Sequence, residues 1–165
     1  MHTPKCFQNH LGPWLIESQW FSAAVAAIKS GTWKAESTSL NALCRTGNHE
    51  FLAAGGYKVV LDPNSNPENP EMLYVVNPSG VAIVEMDGPM MKGKSKFGGC
   101  STVTARLALR AILADKDAGS IMLHIDSPGG NTAGTAELAS DVREANGQKQ
   151  THAHIDDMGA SAAYW

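Results

Sequence analysis

Two short segments of this chain carry residue types suited to acyl-transfer chemistry. One is Asp126-Ser127-Pro128-Gly129-Gly130, and the other runs Asp156-Asp157-Met158-Gly159-Ala160-Ser161-Ala162-Ala163. A hydroxyl nucleophile must stand exposed at a sharp turn, with small neighbours that admit a substrate carbonyl. Ser161 has such neighbours in Gly159, Ala160, Ala162 and Ala163. Backbone N–H groups must also point at the oxyanion that develops. Gly129 and Gly130 read as a pair at a helix start, where an N–H is free and no side chain obstructs it. The helix dipole favours negative charge there, and Pro128 fixes the turn that aims the glycines. Taken singly, S-P-G-G is an ordinary turn and G-A-S-A-A an ordinary start for a buried small-residue helix. Specificity comes from the conjunction, because Gly130 and Ser161 follow consecutive predicted strands in that order.

The elements that must position these segments alternate. Residues 73–76 and 81–86 are short runs rich in β-branched residues, separated by the turn Asn77-Pro78-Ser79-Gly80, and read as strands. Residues 87–99 are rich in Gly and Lys and read as a mobile loop. Residues 101–114 read as a helix, with Ala105, Ala108, Leu109, Ile112 and Leu113 on one face and Thr102, Arg106 and Arg110 on the other. A strand over 120–125 follows, then a helix over 131–146 with Leu138, Val142 and Ala145 inward and Gly147 placed to end it. Residues 151–155 read as a further strand, and Gly159 as the opening of a third helix. The order β-α-β-α-β implies an α/β fold with right-handed crossovers and a mostly parallel sheet covered by helices. In such sheets ligands gather at the carboxyl ends of strands, where both segments lie.

Residues 1–70 read as an N-terminal appendage and linker, and 71–165 as the domain that carries the site. Within the appendage, 14–16 is a short apolar stretch and 17–30 a helix candidate with Trp20, Val25 and Ile28 among its apolar positions. Residues 35–50 read as loop. Residues 62–70 hold three prolines and three asparagines and read as linker or exposed turns.

Bulk properties narrow the function classes. The net charge of −3 provides no basic field for nucleic acid. The longest weakly polar run, 21–28, is far short of the roughly 20 residues a membrane span needs. The N-terminus has no charged start leading into an apolar core, so a soluble, cytoplasmic protein is expected. Three widely spaced cysteines argue against a disulfide framework. Cys6 with His10, and Cys44 with His49, lack the paired spacing of zinc sites, and neither a metal nor a cofactor is expected.

D-S-P-G-G followed by D-D-M-G-A-S-A-A-Y-W resembles the signal peptide peptidase A family of serine peptidases, which shares the crotonase-like fold of the Clp protease subunit. The segment V-A-I-V-E-M-D-G-P-M at 81–90 resembles that family's opening strand. The resemblance covers about residues 73–165. It implies Ser161 as nucleophile, the N–H groups of Gly130 and Ala162 as oxyanion donors, and Ser127, Pro128 and Gly129 as shapers of the turn. It also implies a protein or peptide substrate bound as an extended strand, and assembly of the complete protein into a homo-oligomer. The leader G-P-W-L-I is similar to that of the prohead proteases of tailed bacteriophages, which cut scaffold and portal proteins during capsid assembly.

A serine hydroxyl needs a base to take its proton. The family's base is a lysine well downstream of the serine, and only four residues follow Ser161 here. The expectation is therefore a C-terminally incomplete member, with little peptidase activity and poor stability on its own. Candidate substitutes are Lys92, Lys94 and Lys96 on the glycine-rich loop, His124, and the alternating pair His152 and His154. For each, an ordinary solvated or packed side chain is the competing reading. Asp126, Asp156 and Asp157 read as helix caps or turn formers. Two other functions stay open: a non-catalytic relative that binds strands during assembly, and a crotonase-like acyl-CoA enzyme, which coenzyme A binding would single out.

Overall fold

The computed structural model describes residues 14–16, 52–53, 55–68, 70–95 and 99–165. The helix candidate at 17–30, the loop at 35–50, both Cys/His pairs and Lys96 lie outside the described residues.

The larger of two sheets has five strands. In chain order they are β2 (Lys58–Leu61), β3 (Met72–Val76), β4 (Val81–Asp87), β7 (Ser120–Ser127) and β9 (Thr151–Gly159). They lie in the order β2-β3-β4-β7-β9. The last three are parallel, whereas β2 and β3 are antiparallel additions. The α/β class is as expected, and the sheet is mixed rather than mostly parallel. β2 lies within the segment read as an appendage, so the sheet reaches back to residue 58.

β4 and β7 follow strict alternation, which buries Ala82, Val84 and Met86 beside Ile121, Leu123 and Ile125. Helix α1 (Thr102–Ala114) covers that face with Ala105, Ala108, Leu109 and Ile112, the i, i+3, i+4, i+7 stripe of an amphipathic helix. Ser101 caps it, its Oγ accepting the Thr104 N–H at 3.2 Å. Helix α2 (Thr135–Gln148) lies alongside, with Leu138 and Ala145 buried. Arg106 and Arg110 of α1 both reach Asp141 of α2, at 2.7 and 3.2 Å. The α1 end is closed by Lys149, whose Nζ donates to the carbonyls of Ile112, Asp115 and Ala118 at 2.6, 2.6 and 2.7 Å.

Several expectations are corrected. Thr102, placed on the polar face of α1, is fully buried, because the helix starts meet there and a Cβ on Gly134 would lie 2.3 Å from Thr102 Oγ1. The second helix begins at Thr135, not 131, and Gly147 lies inside it, one residue before its end. Residues 62–68 do form turns, yet Asp62 is buried, held by Lys94 at 2.6 Å.

The smaller sheet has four very short strands in the order β1-β8-β5-β6. They are β1 (Trp14–Ile16), β5 (Met90–Met91), β6 (Cys100–Ser101) and β8 (Gly129–Asn131). One of these, β5, comes from the segment expected to be a mobile loop, and β6 directly follows that segment. Met90 is 1% exposed, so burial anchors that stretch. No helix among the described residues is long and apolar enough to cross a membrane.

Candidate active site

The β7 strand ends on Ser127, the inward position that continues Ile121, Leu123 and Ile125. No solvent reaches it. Its Oγ donates to the Gly88 carbonyl at 2.6 Å and accepts the Gly129 N–H at 3.2 Å. Its own carbonyl accepts the Ala160 N–H at 3.0 Å. One buried residue thus joins the loop after β4, the glycine turn, and the segment just before Ser161. Reading Ser127 as a turn former understated this. The available signal was alternation, which puts a hydroxyl at a core position where it must find partners.

Gly129 turns the chain with φ +92°, a conformation other residues adopt only with strain. Gly130 then enters β8, in register with Met90 of β5 on one side and Leu15 of β1 on the other. A side chain at Gly130 would drive into Met90, its Cβ only 1.9 Å from that carbonyl oxygen. The glycine pair therefore lies in a strand rather than at a helix start. Four residues separate Gly130 from Thr135, the first of α2, so the α2 dipole is not what an oxyanion at Gly130 would meet.

β9 delivers the second segment. It ends at Gly159, and Ser161–Tyr164 make a single 3₁₀ turn in place of the expected helix. Ala160 is extended at φ −111°, and its carbonyl accepts the Ala163 N–H at 3.0 Å. Between them, Ser161 sits at φ +55°, the one non-glycine residue with a positive φ among those described. Ala162 is buried in the main core and fixes the turn from below. The turn packs against β8 and β1, so Ser161 and Ala162 share a neighbourhood with Gly129 and Gly130. Pro128, between Ser127 and Gly129 in the chain, is buried. An apolar cavity of about 210 Å³ lies beside the turn, lined by Met86, Leu123, Leu138, Val142, Ala162 and Trp165 among others.

The proposed base substitutes fare differently. Lys94 is paired with Asp62 at 2.6 Å and Glu71 at 2.8 Å. Burial alone would lower its pKa, but the hydrogen bonds that Lys94 donates to Asp62 and Glu71 outweigh it and raise the pKa. A lysine held as a cation in this way is unsuited to accept a proton. The backbone of Lys92 pins the loop to α1, its carbonyl accepting from Ser101 Oγ at 3.2 Å. His124 and His154 lie opposite each other on β7 and β9, their rings stacked at 5.4 Å. His152 is the register partner of Met122.

Asp126 accepts the Met158 N–H at 3.2 Å and so ties β7 to the end of β9. Its pKa is raised, first by burial, then by the carboxylates of Asp87, Asp157 and Asp156, with the Met158 N–H opposing. Asp126 therefore braces the strand ends, and neither it nor Asp156 or Asp157 caps a helix.

Compared with known proteins, the chain matches no family model, and no curated protein matches it.

Proposed function

We propose that this chain carries the nucleophile and oxyanion hole of a serine endopeptidase of the signal peptide peptidase A type, on a Clp/crotonase-like fold. The observation that carries the reading is the backbone of Ser161. A side-chain-bearing residue at φ +55° costs about 1–2 kcal/mol, and such strain gathers at functional turns. It falls on the serine that the motif singles out, at the carboxyl end of a parallel strand and beside the glycine strand.

In this reading the substrate lies extended along β8 in the place that β1 holds in this structure, since β5 occupies the other edge. Support comes from β1, an extended segment already paired antiparallel with β8. Ser161 Oγ attacks the scissile carbonyl carbon and its proton passes to the base. The carbonyl oxygen becomes an oxyanion between the N–H groups of Gly130 and Ala162. The C–N bond then breaks, the amine leaves with a proton, and water releases the acyl group from Ser161. The resemblance implies a lysine as that base. The G-P-W-L-I leader supports a place in phage capsid assembly, with scaffold or portal proteins as substrates in the host cytoplasm or the prohead, and a homo-oligomeric ring as the working form.

The strand already seated on β8 favours one other reading, a strand-binding relative that does not hydrolyse. A fluorophosphonate probe separates the two. An oxyanion hole that holds the phosphonyl oxygen speeds attack by the hydroxyl beside it. The native chain is expected to react at Ser161, as located by peptide mass mapping, and the urea-unfolded chain and Ser161→Ala are not. A native Ser161 that reacts no faster than it does in the unfolded chain refutes the peptidase reading. Retained peptide binding would then leave the strand-binding one.

A further inference from the structure

The face of the sheet opposite α1 and α2 carries a cluster that the peptidase reading does not use. His124 of β7 and His154 of β9 are register partners across a parallel ladder. Their rings lie 5.4 Å apart and within 17° of parallel. Asp156 follows two residues after His154. One ligand atom from each of the three, His124, His154 and Asp156, lies within 4.8 Å of the other two.

Local irregularity of the strand contributes to this arrangement. The pairing is regular up to Ile125↔Ile155 and resumes at Ser127↔Gly159, so β9 carries extra residues at Asp156–Met158. Such bulges re-aim side chains, and this one lies where Asp156 joins the two imidazoles. Negative charge is also concentrated nearby, for Asp87 and Asp126 are register partners at the end of β4 and β7.

We propose that His124, His154 and Asp156 form a binding site for one divalent transition-metal ion of the zinc type, bridging β7 and the edge strand β9. The donor set decides the class of ion. Two imidazole nitrogens and one carboxylate oxygen suit zinc, cobalt or nickel, whereas magnesium and calcium take oxygen donors. Donors on one tetrahedral zinc ion sit about 3.3 Å apart, at about 2.0–2.1 Å from the metal. Closing from the present separation takes about 1.5 Å at most, and the two exposed residues, His154 and Asp156, can swing to supply it. Three protein donors leave a fourth position for water. The ion clamps an edge strand whose residues 152–157 are all exposed and which runs directly into the Ser161 turn. The proposal does not rest on the peptidase reading.

Cobalt(II) serves as the spectroscopic probe and zinc(II) as the competitor. The full chain is expected to bind one equivalent of cobalt with the intense visible bands of a tetrahedral site, and zinc to displace it. His154→Gln and Asp156→Asn change only exposed side chains, and unchanged circular dichroism shows that each variant is folded. His154→Gln, and separately His124→Ala, are expected to weaken binding at least tenfold, the lower bound for losing even an outer partner of a metal ligand. His152→Ala is expected to bind as the parent does. Zinc is further expected to raise the melting temperature of the parent and not that of His154→Gln. Binding that keeps its strength in His124→Ala and His154→Gln, or no tetrahedral spectrum in the parent at millimolar cobalt, overturns the proposal.

Discussion

Replacing Gly130 with alanine tests the site where packing and chemistry meet. The new Cβ would lie 1.9 Å from the Met90 carbonyl oxygen and 2.6 Å from the Met90 nitrogen and carbonyl carbon. Carbon–oxygen contacts do not usually close below about 3.3 Å, so β5 and β8 must part by about 1.4 Å. Met90 is 1% exposed and has no room to yield without moving the core. Overpacking of this kind costs about 1–3 kcal/mol, and the strained Met90–Gly130 pairing adds about 1 kcal/mol for a lost hydrogen bond. The expected loss is about 2–4 kcal/mol in urea unfolding. The same shift moves the Gly130 N–H by more than 1 Å, which lowers the rate of Ser161 phosphonylation about 100-fold in the folded variant. Gly159→Ala is the control. Its contacts are all with the Ile155 side chain, Cδ1 at 2.9, Cγ1 at 3.1 and Cγ2 at 3.2 Å, which is 48% exposed, and none is with backbone. That variant should lose less than about 1 kcal/mol. If Gly130→Ala unfolds within about 0.5 kcal/mol of the parent, the packing argument fails. A parental labelling rate at Ser161 would remove Gly130 from the oxyanion hole.

Three further outcomes are expected. Thr102→Val removes a fully buried hydroxyl that has no hydrogen-bond partner and should stabilise the fold by about 1 kcal/mol; a loss of stability in urea would show that the hydroxyl is satisfied. Lys149→Met leaves the carbonyls of Ile112, Asp115 and Ala118 without their shared donor and should cost about 2–4 kcal/mol, measured the same way, with a cost under about 0.5 kcal/mol refuting the cap. Asp126 supplies a pH test: its folded pKa is raised above 3.8, chiefly by burial, so the folded state holds its proton more tightly than the unfolded one. Stability from this group is gained as pH falls through the folded pKa and lost again as pH rises through it. Asp126→Asn should be the more stable protein at neutral pH, with a flatter dependence of stability on pH above 3.8; an unchanged slope contradicts the assignment.

The parts of the fold that rest on local periodicity were legible. The alternation of β4 and β7 and the apolar stripe of α1 are dictated by which residues must leave water, and each element falls within a residue or two of its expected bounds. Long-range packing was not legible. Thr102 looked polar on the helical wheel, and only the approach of Gly134 buries it. The strand Lys58–Leu61 lies within the segment 1–70 that reads as appendage and linker, and the Asp62-Pro63-Asn64 flank gives no sign that Lys94 holds Asp62 inside. The site segments were found because their residue types are unusual together. Their geometry was read less well, since Gly-Gly fits a helix start and a crowded strand equally, and only Met90 decides between them. The pairing of His124 with His154 depends on the register of two strands separated by a helix, which no local pattern encodes.

The central claim is that Ser161 attacks a carbonyl carbon while Gly130 and Ala162 hold the oxygen. A peptidyl boronate reproduces that state, because attack by the serine Oγ turns trigonal boron tetrahedral and presents a hydroxyl to the oxyanion donors. Boron NMR of the bound inhibitor is the direct measurement. The account predicts a tetrahedral signal with the parent chain that is lost in Ser161→Ala and weakened in Gly130→Ala. Boron that stays trigonal when bound to the parent, or a tetrahedral signal that survives Ser161→Ala, would contradict it.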